Sequence, residues 1–169
     1  WLFIDKKGVS KATLATVAKV QQRGVRKNRA SGRPTYGLLG LAKMLELETY
    51  NGYVRAYNGG QVIKAADGEV IFGRRINPEL IPYLEKKADK NGFGILTYNE
   101  DCIVTNMPDN PHIKAEAELN GMKIVYEEHF SIAIDFIPCK CMLVSDDEEA
   151  LVGLENHWKR RLDGVLDVF

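Results

Sequence analysis

Regularly spaced signals for helix starts and helix stops in the second half of the chain constrain its fold more than any other feature. Asn77-Pro78 and Asn110-Pro111 predict helix starts, because asparagine caps a first turn and proline fits the first helical position. Asn91-Gly92 and Asn120-Gly121 predict helix stops, because glycine adopts the left-handed backbone that ends a helix. The apolar segments between these markers predict strands. The resulting order is helix, strand, strand, helix, strand, strand, helix, strand, which predicts an α+β layer with helices on one face of a mainly antiparallel sheet.

The last helix of that layer has signals of its own. Ser145-Asp146-Asp147-Glu148 reads as a capping box, and Lys159-Arg160-Arg161 lies at the other end of the same helix. Acids at the start and cations at the end both complement the helix dipole. Residues 165–169 predict the beginning of one further strand.

The first half predicts alternating helices and strands, with one conflict. Ser10 caps a helix that stops at Gly24, and Pro34 starts a second helix. The apolar residues 1–4 and 53–57 predict strands, and Asp67-Gly68 predicts a hairpin turn. A buried strand is expected between the two helices, but Arg26-Lys27-Asn28-Arg29 is a solvated run with poor strand propensity.

Composition excludes several classes of function. The chain has 169 residues, 45% of them apolar and 27% charged, as in an ordinary globular protein of one domain or two small ones. Its 23 basic residues balance its 23 acidic ones, so we expect neither a nucleic-acid partner nor an anionic membrane surface. No apolar run approaches the ~20 residues that span a bilayer. The odd number of cysteines favours a reducing, cytoplasmic setting.

The stretch Ser31-Gly32-Arg33-Pro34 has the composition of an anion-binding corner. Ser31 offers a hydroxyl, Gly32 lets the backbone approach a ligand, and Arg33 offers a planar fork of donors. The helix that follows Pro34 would add its free N–H groups and the positive end of its dipole. The alternative is a plain junction between a strand and a helix.

Two other stretches follow predicted strands and therefore point to the same edge of a sheet. Asp5 follows the apolar run at the start of the chain, at a position where a carboxylate can be a nucleophile or a metal ligand. Asn58-Gly59-Gly60 follows the strand at 53–57 and offers an amide and N–H groups to a polar substrate. The alternatives are a loop aspartate without a role and a plain turn.

The remaining reactive residues have structural explanations. Cys139 and Cys141 alternate on one face of a predicted strand, but no paired histidines complete a metal site, so small buried hydrophobes are the better interpretation. The acidic run from Asp146 to Glu149 is explained as charge at a helix start.

Taken together, Leu2-Phe3-Ile4-Asp5, Ser31-Gly32-Arg33-Pro34 and Tyr57-Asn58-Gly59-Gly60 resemble the motifs of Cof-type haloacid-dehalogenase-like (HAD superfamily) phosphatases. The resemblance extends from Phe3 to Phe169. It implies a partial Rossmann-like core over residues 1–76 and an α+β cap domain, which selects the substrate, over residues 77–169. Such enzymes are magnesium-dependent phosphohydrolases of small phosphorylated metabolites, often sugar phosphates.

The resemblance also implies roles for individual residues. Asp5 stands at the position of the nucleophile and of a magnesium ligand. Ser31, Gly32 and Arg33 stand where the phosphoryl group is bound, and Asn58 and Gly59 lie at the core edge that faces the substrate. A hydroxyl and N–H donors at a helix start suit the charge of a phosphoryl transition state.

The departures from the family pattern are as specific as the match. The family motif Asp-x-Asp-Gly-Thr is replaced by Asp5-Lys6-Lys7-Gly8-Val9, and lysine supplies no carboxylate for acid/base catalysis and repels magnesium. The second core strand is polar, and the sequence stops before the family's lysine, its later metal-binding aspartates and the last strand of the cap. We therefore expect little or no phosphatase activity. We also expect the first two helices to lack their usual sheet and to expose apolar surface through which the chain self-associates. The alternatives are a non-catalytic cap-like binding module and an engineered or truncated fragment.

Overall fold

A computed structural model describes residues 9–25 and 28–169. The chain divides into two compact units, Trp1–Gly73 and Arg74–Phe169, which we call the N-unit and the C-unit. The assignment of residues 1–76 to a family core and of 77–169 to a cap stays a prediction. The predicted first strand, Asp5 and the Lys6-Lys7 pair lie outside the described residues.

The N-unit alternates helices and strands before it ends in a hairpin. Helix α1 begins after Ser10, whose hydroxyl accepts a hydrogen bond from the Thr13 N–H at 3.1 Å, as the sequence predicts. The Asp67-Gly68 hairpin is also confirmed. The elements are α1 (Lys11–Gln22), β1 (Asn28–Ala30), α2 (Tyr36–Met44), β2 (Tyr53–Ala56), β3 (Gln61–Lys64) and β4 (Val70–Gly73).

A strand does form in the polar run between the two helices, contrary to its propensity. Strand β1 pairs in parallel with β2, and the sheet has the order β1-β2-β3-β4, with antiparallel pairing from β2 to β4. Asn28 and Ala30 are exposed, so polar residues are tolerated on that face of β1. Backbone pairing with β2 therefore overrides the weak local preference.

The expectation that the first two helices lack a sheet is also wrong. Val17 of α1 and Leu38 of α2 are buried in one cluster with Val54 of β2 and Ile63 of β3. Some apolar surface nevertheless remains on α2, where Leu39 is 47% and Met44 51% exposed. The helices are thus packed on the sheet through one face only.

The C-unit contains the predicted α+β layer. Its sheet has the order β7-β6-β5-β8, and only the β6–β7 pair is parallel, so the fold class is confirmed. A short α5 between β7 and β8 is an addition that the sequence analysis missed. The elements are α3 (Ile81–Asn91, after a 3₁₀ turn over Pro78–Leu80), β5 (Gly94–Asn99), β6 (Cys102–Thr105), α4 (Pro111–Asn120), β7 (Lys123–Tyr126), α5 (Phe130–Ala133), β8 (Cys141–Val144) and α6 (Glu148–Arg161).

The helix markers of the C-unit behave largely as predicted. The side chains of Asn77 and Asn110 accept N–H bonds from the turns that follow them, and Gly92 and Gly121 end α3 and α4 with φ of 68° and 64°. The capping box is shifted, because Asp147 rather than Ser145 caps α6 by accepting the Ala150 N–H at 2.9 Å.

Both faces of the C-unit sheet are covered. Helices α3 and α6 pack with Ile95 and Val104 in the main core cluster, on one face of the sheet. Helix α4 lies over the opposite face, where the Tyr98 hydroxyl donates to Glu116 at 2.8 Å, so the prediction that all the helices share one face is wrong. The predicted strand at 165–169 is wrong: these residues form a turn and irregular structure, and Leu166 and Val168 pack against the core cluster instead.

Candidate functional site

Two loops of the N-unit follow parallel strands and so meet at one sheet edge. Residues 31–35 follow β1 and form what we call loop A, which leads into α2. Residues 57–60 follow β2 and form loop B, which leads into β3. The carboxyl edge of parallel strands is where open α/β sheets bind ligands. The topology therefore makes these two loops the candidate ligand site.

Backbone hydrogen bonds join the two loops. The Asn58 N–H donates to the Ser31 carbonyl at 3.1 Å, and the Tyr57 N–H donates to the Arg33 carbonyl at 3.0 Å. The Ser31 N–H in turn donates to the Arg55 carbonyl at 3.0 Å, which continues the β1–β2 ladder into loop A. Hydrogen bonds to residues at and after the end of β2 thus fix loop A at Ser31 and at Arg33.

Gly32 lies directly against the side chain of Asn58. A Cβ atom at Gly32 would lie 3.0 Å from Asn58 Oδ1 and 3.3 Å from Asn58 Nδ2. Such contacts are closer than ordinary van der Waals packing, so a larger residue at position 32 would displace the Asn58 side chain by a few tenths of an ångström. The two motifs that the sequence analysis selected separately are therefore parts of one structure.

Loop B has an unusual backbone. Tyr57 and Asn58 have φ of 52° and 57°, and Gly59 has φ of 96°. Left-handed backbone is common for glycine and tolerated by asparagine, but it is costly for a bulky residue such as tyrosine. Strain of this kind persists only where the surrounding structure imposes it, and it concentrates at functional sites.

The polar groups of loop A suit an anion. The Ser31 hydroxyl accepts the Arg33 N–H at 3.3 Å, which turns loop A back toward the sheet. Arg33 is half-buried and supplies a positive charge at the start of α2, where the helix dipole also favours negative charge. Thr35 makes no capping bond to this helix; its hydroxyl donates instead to Gln61 Oε1 at 2.5 Å.

The structure brings together five of the six predicted site residues. Ser31, Gly32 and Arg33 lie in loop A, and Asn58 and Gly59 lie in loop B. Their roles stay predictions, as does the role of Asp5. Sequence reasoning missed the Thr35–Gln61 bond, because the two residues are distant in the sequence and neither has a motif of its own.

The described residues at this corner do not form a magnesium site. They offer a hydroxyl, a guanidinium and an amide, whereas magnesium prefers carboxylate oxygens. In the described ranges, no three histidine, cysteine or acidic side chains cluster as metal ligands. Asp5, which the resemblance offers as a ligand, lies outside those ranges.

The cysteines are half-buried rather than buried, and Cys139 lies outside β8, so the prediction that Cys139 and Cys141 share one face of a strand is wrong. All three are free, and Cys141 begins β8 while Cys139 precedes it. Burial raises the pKa of Cys141 to about 12, against a smaller opposing effect of the hydrogen bond with Thr97. Burial also raises the pKa of Cys139, although the nearby Arg75 guanidinium opposes the shift. Both side chains are therefore thiols at neutral pH.

The C-unit has a polar cluster of its own between β5 and α4. Glu116 accepts from the Tyr98 hydroxyl and from Asn120 Nδ2, each at 2.8 Å. The Oδ1 atom of Asn120 is buried and has no hydrogen-bond partner among the residues that the structure describes. Burial lowers the pKa of nearby Lys140, and the Glu116 carboxylate opposes that shift. The described part of the chain has no helix that is long and apolar enough to cross a membrane.

Comparison with known proteins defines the class to which this fold and corner belong. The family model of haloacid dehalogenase-like hydrolases matches residues 2–169. A solved haloacid dehalogenase-like hydrolase from Bacteroides thetaiotaomicron is 34% identical with a TM-score of 0.90; the match covers 99% of this chain and 63% of that one. The predicted family is confirmed: the chain belongs to the haloacid dehalogenase-like hydrolases.

Two other matches support less about this chain, because one is low in sequence identity and the other covers only part of the chain. The structure of a protein described as a HAD subclass IIB sugar phosphatase matches with a TM-score of 0.64 at 18% identity, over 85% of this chain and 55% of that one, and so shows the fold alone. Mitoguardin 2 of Xenopus laevis is 29% identical over 100 residues, which are 58% of this chain and 17% of that protein. The chain thus spans less than two thirds of each of these proteins.

Proposed function

We propose that the chain binds the phosphoryl group of a small phosphorylated metabolite at the corner formed by loops A and B. The supporting observation is the cross-bonding of the two loops, which sets Gly32 against Asn58 beside the start of α2. A phosphoryl group presents several negatively charged oxygens. The Ser31 hydroxyl, the Arg33 guanidinium and the N–H groups at the helix start are matching donors.

The substrate class follows from the family rather than from the corner itself. HAD phosphatases include sugar phosphatases, one of which has the fold of this chain. We therefore propose sugar phosphates and similar small phosphoesters as ligands. The corner recognises the phosphoryl oxygens, which these compounds share.

We further propose that this chain does not hydrolyse the ester. Phosphotransferases of this family generally use magnesium. Magnesium would neutralise charge on the phosphoryl oxygens, and Asp5 is the residue that would hold it. The second aspartate of the family motif is replaced by Lys7, which supplies neither a metal ligand nor a proton at the leaving oxygen.

An assay of the purified chain with p-nitrophenyl phosphate and magnesium chloride tests the absence of turnover. We expect no release of nitrophenol above the rate without protein. Magnesium-dependent release that disappears in the Asp5→Asn variant would contradict the proposal, because that variant separates turnover by this chain from a contaminating phosphatase.

Binding is tested separately by thermal unfolding with inorganic phosphate. We expect the unfolding temperature to rise with phosphate concentration, because a ligand that binds only the folded state stabilises it. Sodium chloride at equal ionic strength is the control. An equal rise in both salts would mean that the corner does not bind phosphate.

The second candidate function is that of a non-catalytic binding module in the C-unit. The cluster of Tyr98, Glu116 and Asn120 favours it, because the buried Asn120 oxygen has no partner among the described residues. Beryllium fluoride with magnesium separates this module from a complete phosphatase site. A complete site is stabilised by both together, whereas a cap-like binding module does not respond.

A further inference from the structure

Thr35 stands where a helix-capping residue is expected but does not cap. It precedes α2 with helical backbone angles, φ −54° and ψ −45°, and makes no side-chain bond to the first turn. A threonine accepts an N–H from the helix that follows it when its own backbone is extended, so Thr35 with its helical backbone is not in a capping conformation. Here its hydroxyl donates to Gln61 Oε1, which leaves the first-turn N–H groups without that acceptor.

Gln61 lies on the far side of the corner. It is the first residue of β3, directly after loop B, and it pairs with Ala56 at the end of β2. It is only 9% exposed, although glutamine is usually a surface residue. A buried amide of this kind is retained at low cost only when it is hydrogen-bonded.

The Thr35–Gln61 bond therefore connects the helix that leaves loop A with the strand that leaves loop B. It acts in parallel with the two backbone bonds between the loops, Asn58 N–H to Ser31 and Tyr57 N–H to Arg33. Those bonds fix the loops to each other, and the side-chain bond fixes the direction of α2. A change in that direction would therefore change where the first-turn N–H groups of α2 point.

We propose that Thr35 and Gln61 are a pair of positioning residues that hold the start of α2 in place for binding a phosphoryl group. The pair acts through the helix N–H groups and touches no reacting atom. This inference rests on the proposed phosphate corner.

The test is a titration of the whole ¹⁵N-labelled chain with inorganic phosphate, in which the amide chemical shifts of Gly32 and Gly37 report binding. Thr35→Val keeps the shape of the side chain but removes the donor, and Thr35→Ser keeps the donor. We expect Thr35→Val to weaken phosphate binding about threefold to tenfold, the range expected for one lost hydrogen bond. We expect Thr35→Ser to bind as the wild type does.

A matched variant separates positioning from a general loss of stability. Thr105 of β6 is buried, and its hydroxyl donates to the Ile95 carbonyl at 2.7 Å. We expect Thr105→Val to lower the unfolding temperature without changing phosphate affinity. Phosphate affinity unchanged in Thr35→Val, or reduced equally in Thr35→Ser, would overturn the positioning role while leaving the corner intact. A wild-type chain without phosphate-dependent shifts would overturn the corner and the positioning role together.

Discussion

Helix α4 of the C-unit begins at the capping Asn110, and α3 continues a 3₁₀ turn that Asn77 caps, whereas α2 of the N-unit begins without a capping bond. Both C-unit helices end at left-handed glycines. The non-glycine residues with positive φ are distributed just as unevenly. In the described residues, Glu46, Asn51, Tyr57 and Asn58 of the N-unit have such backbone, against Glu100 in the C-unit. The C-unit follows local rules of helix and strand formation closely, and the N-unit departs from them.

Several of the departures lie at the proposed phosphate corner, whereas Glu46 and Asn51 lie between α2 and β2. Tyr57 adopts a costly backbone, Thr35 does not cap its helix, and Gly32 leaves room for the side chain of Asn58. Natural sequences break local rules mainly where function requires it. The comparison therefore supports a structural role for the C-unit features described above and a ligand-binding role for the corner.

The largest expected effect concerns the core of the C-unit. Phe93 is 1% exposed, and we expect Phe93→Ala to lower the free energy of unfolding by about 3–5 kcal/mol. Urea unfolding followed by the fluorescence of Trp158, in a Trp1→Phe background, measures this change. Phe72 of β4 is the control: it is 47% exposed, so Phe72→Ala should cost far less. Similar losses in the two variants would contradict the burial of Phe93.

The second prediction sets two glycines of the N-unit against each other. Gly40 lies within α2 with nothing within 4 Å of an added Cβ, so Gly40→Ala should stabilise the chain by about 0.5–1 kcal/mol. Gly32→Ala should instead weaken phosphate binding about threefold to tenfold, because the Asn58 side chain must move. Thermal unfolding and a phosphate titration measure both properties. Unchanged phosphate affinity in Gly32→Ala would show that the Gly32–Asn58 contact does not contribute to phosphate binding.

The third prediction compares two asparagines with left-handed backbone. Asn51 and Asn58 have φ of 51° and 57°, and both are exposed. Asn58→Asp adds a negative charge to the corner and should weaken phosphate binding about tenfold at low salt, with a smaller loss at high salt. Asn51→Asp should leave phosphate binding unchanged. Equal losses in the two variants would indicate an effect of net charge alone.

The smallest effect is the pH dependence contributed by Cys141. Its pKa is about 12 in the folded chain, against 9.0 for a free thiol. Between these values the unfolded chain has lost the thiol proton and the folded chain has kept it, so stability falls as pH rises. We expect Cys141→Ser to show a shallower decline in unfolding temperature between pH 8 and about pH 10 than the wild type. Parallel curves would contradict the shifted pKa.

Much of the fold follows from short-range signals in the sequence. Asn110-Pro111 and Asn120-Gly121 define α4 because capping and left-handed backbone act within one turn. Strand β1 was not predictable in this way, since it depends on pairing with β2. The shift of the cap from Ser145 to Asp147 and the four-residue α5 are also beyond local patterns.

The candidate site likewise combines features that the local sequence predicts with contacts that it does not. The composition of loop A indicates an anion corner, and loop B follows a recognisable strand. The contact between Gly32 and Asn58, however, depends on the parallel pairing of β1 with β2. The bond between Thr35 and Gln61 depends on the direction in which β3 leaves loop B. Neither relation has a signal at fixed spacing in the sequence.

The most direct measurement of phosphate recognition is a map of amide chemical shifts of the ¹⁵N-labelled wild-type chain titrated with inorganic phosphate. The signals of Gly92 and Gly121, which end helices of the C-unit, serve as internal references. We predict saturable shifts at Gly32, Gly37 and Gly59 and none at the references. Shifts confined to the C-unit, or no saturable shift in loops A and B, would contradict the assignment of phosphate binding to this corner.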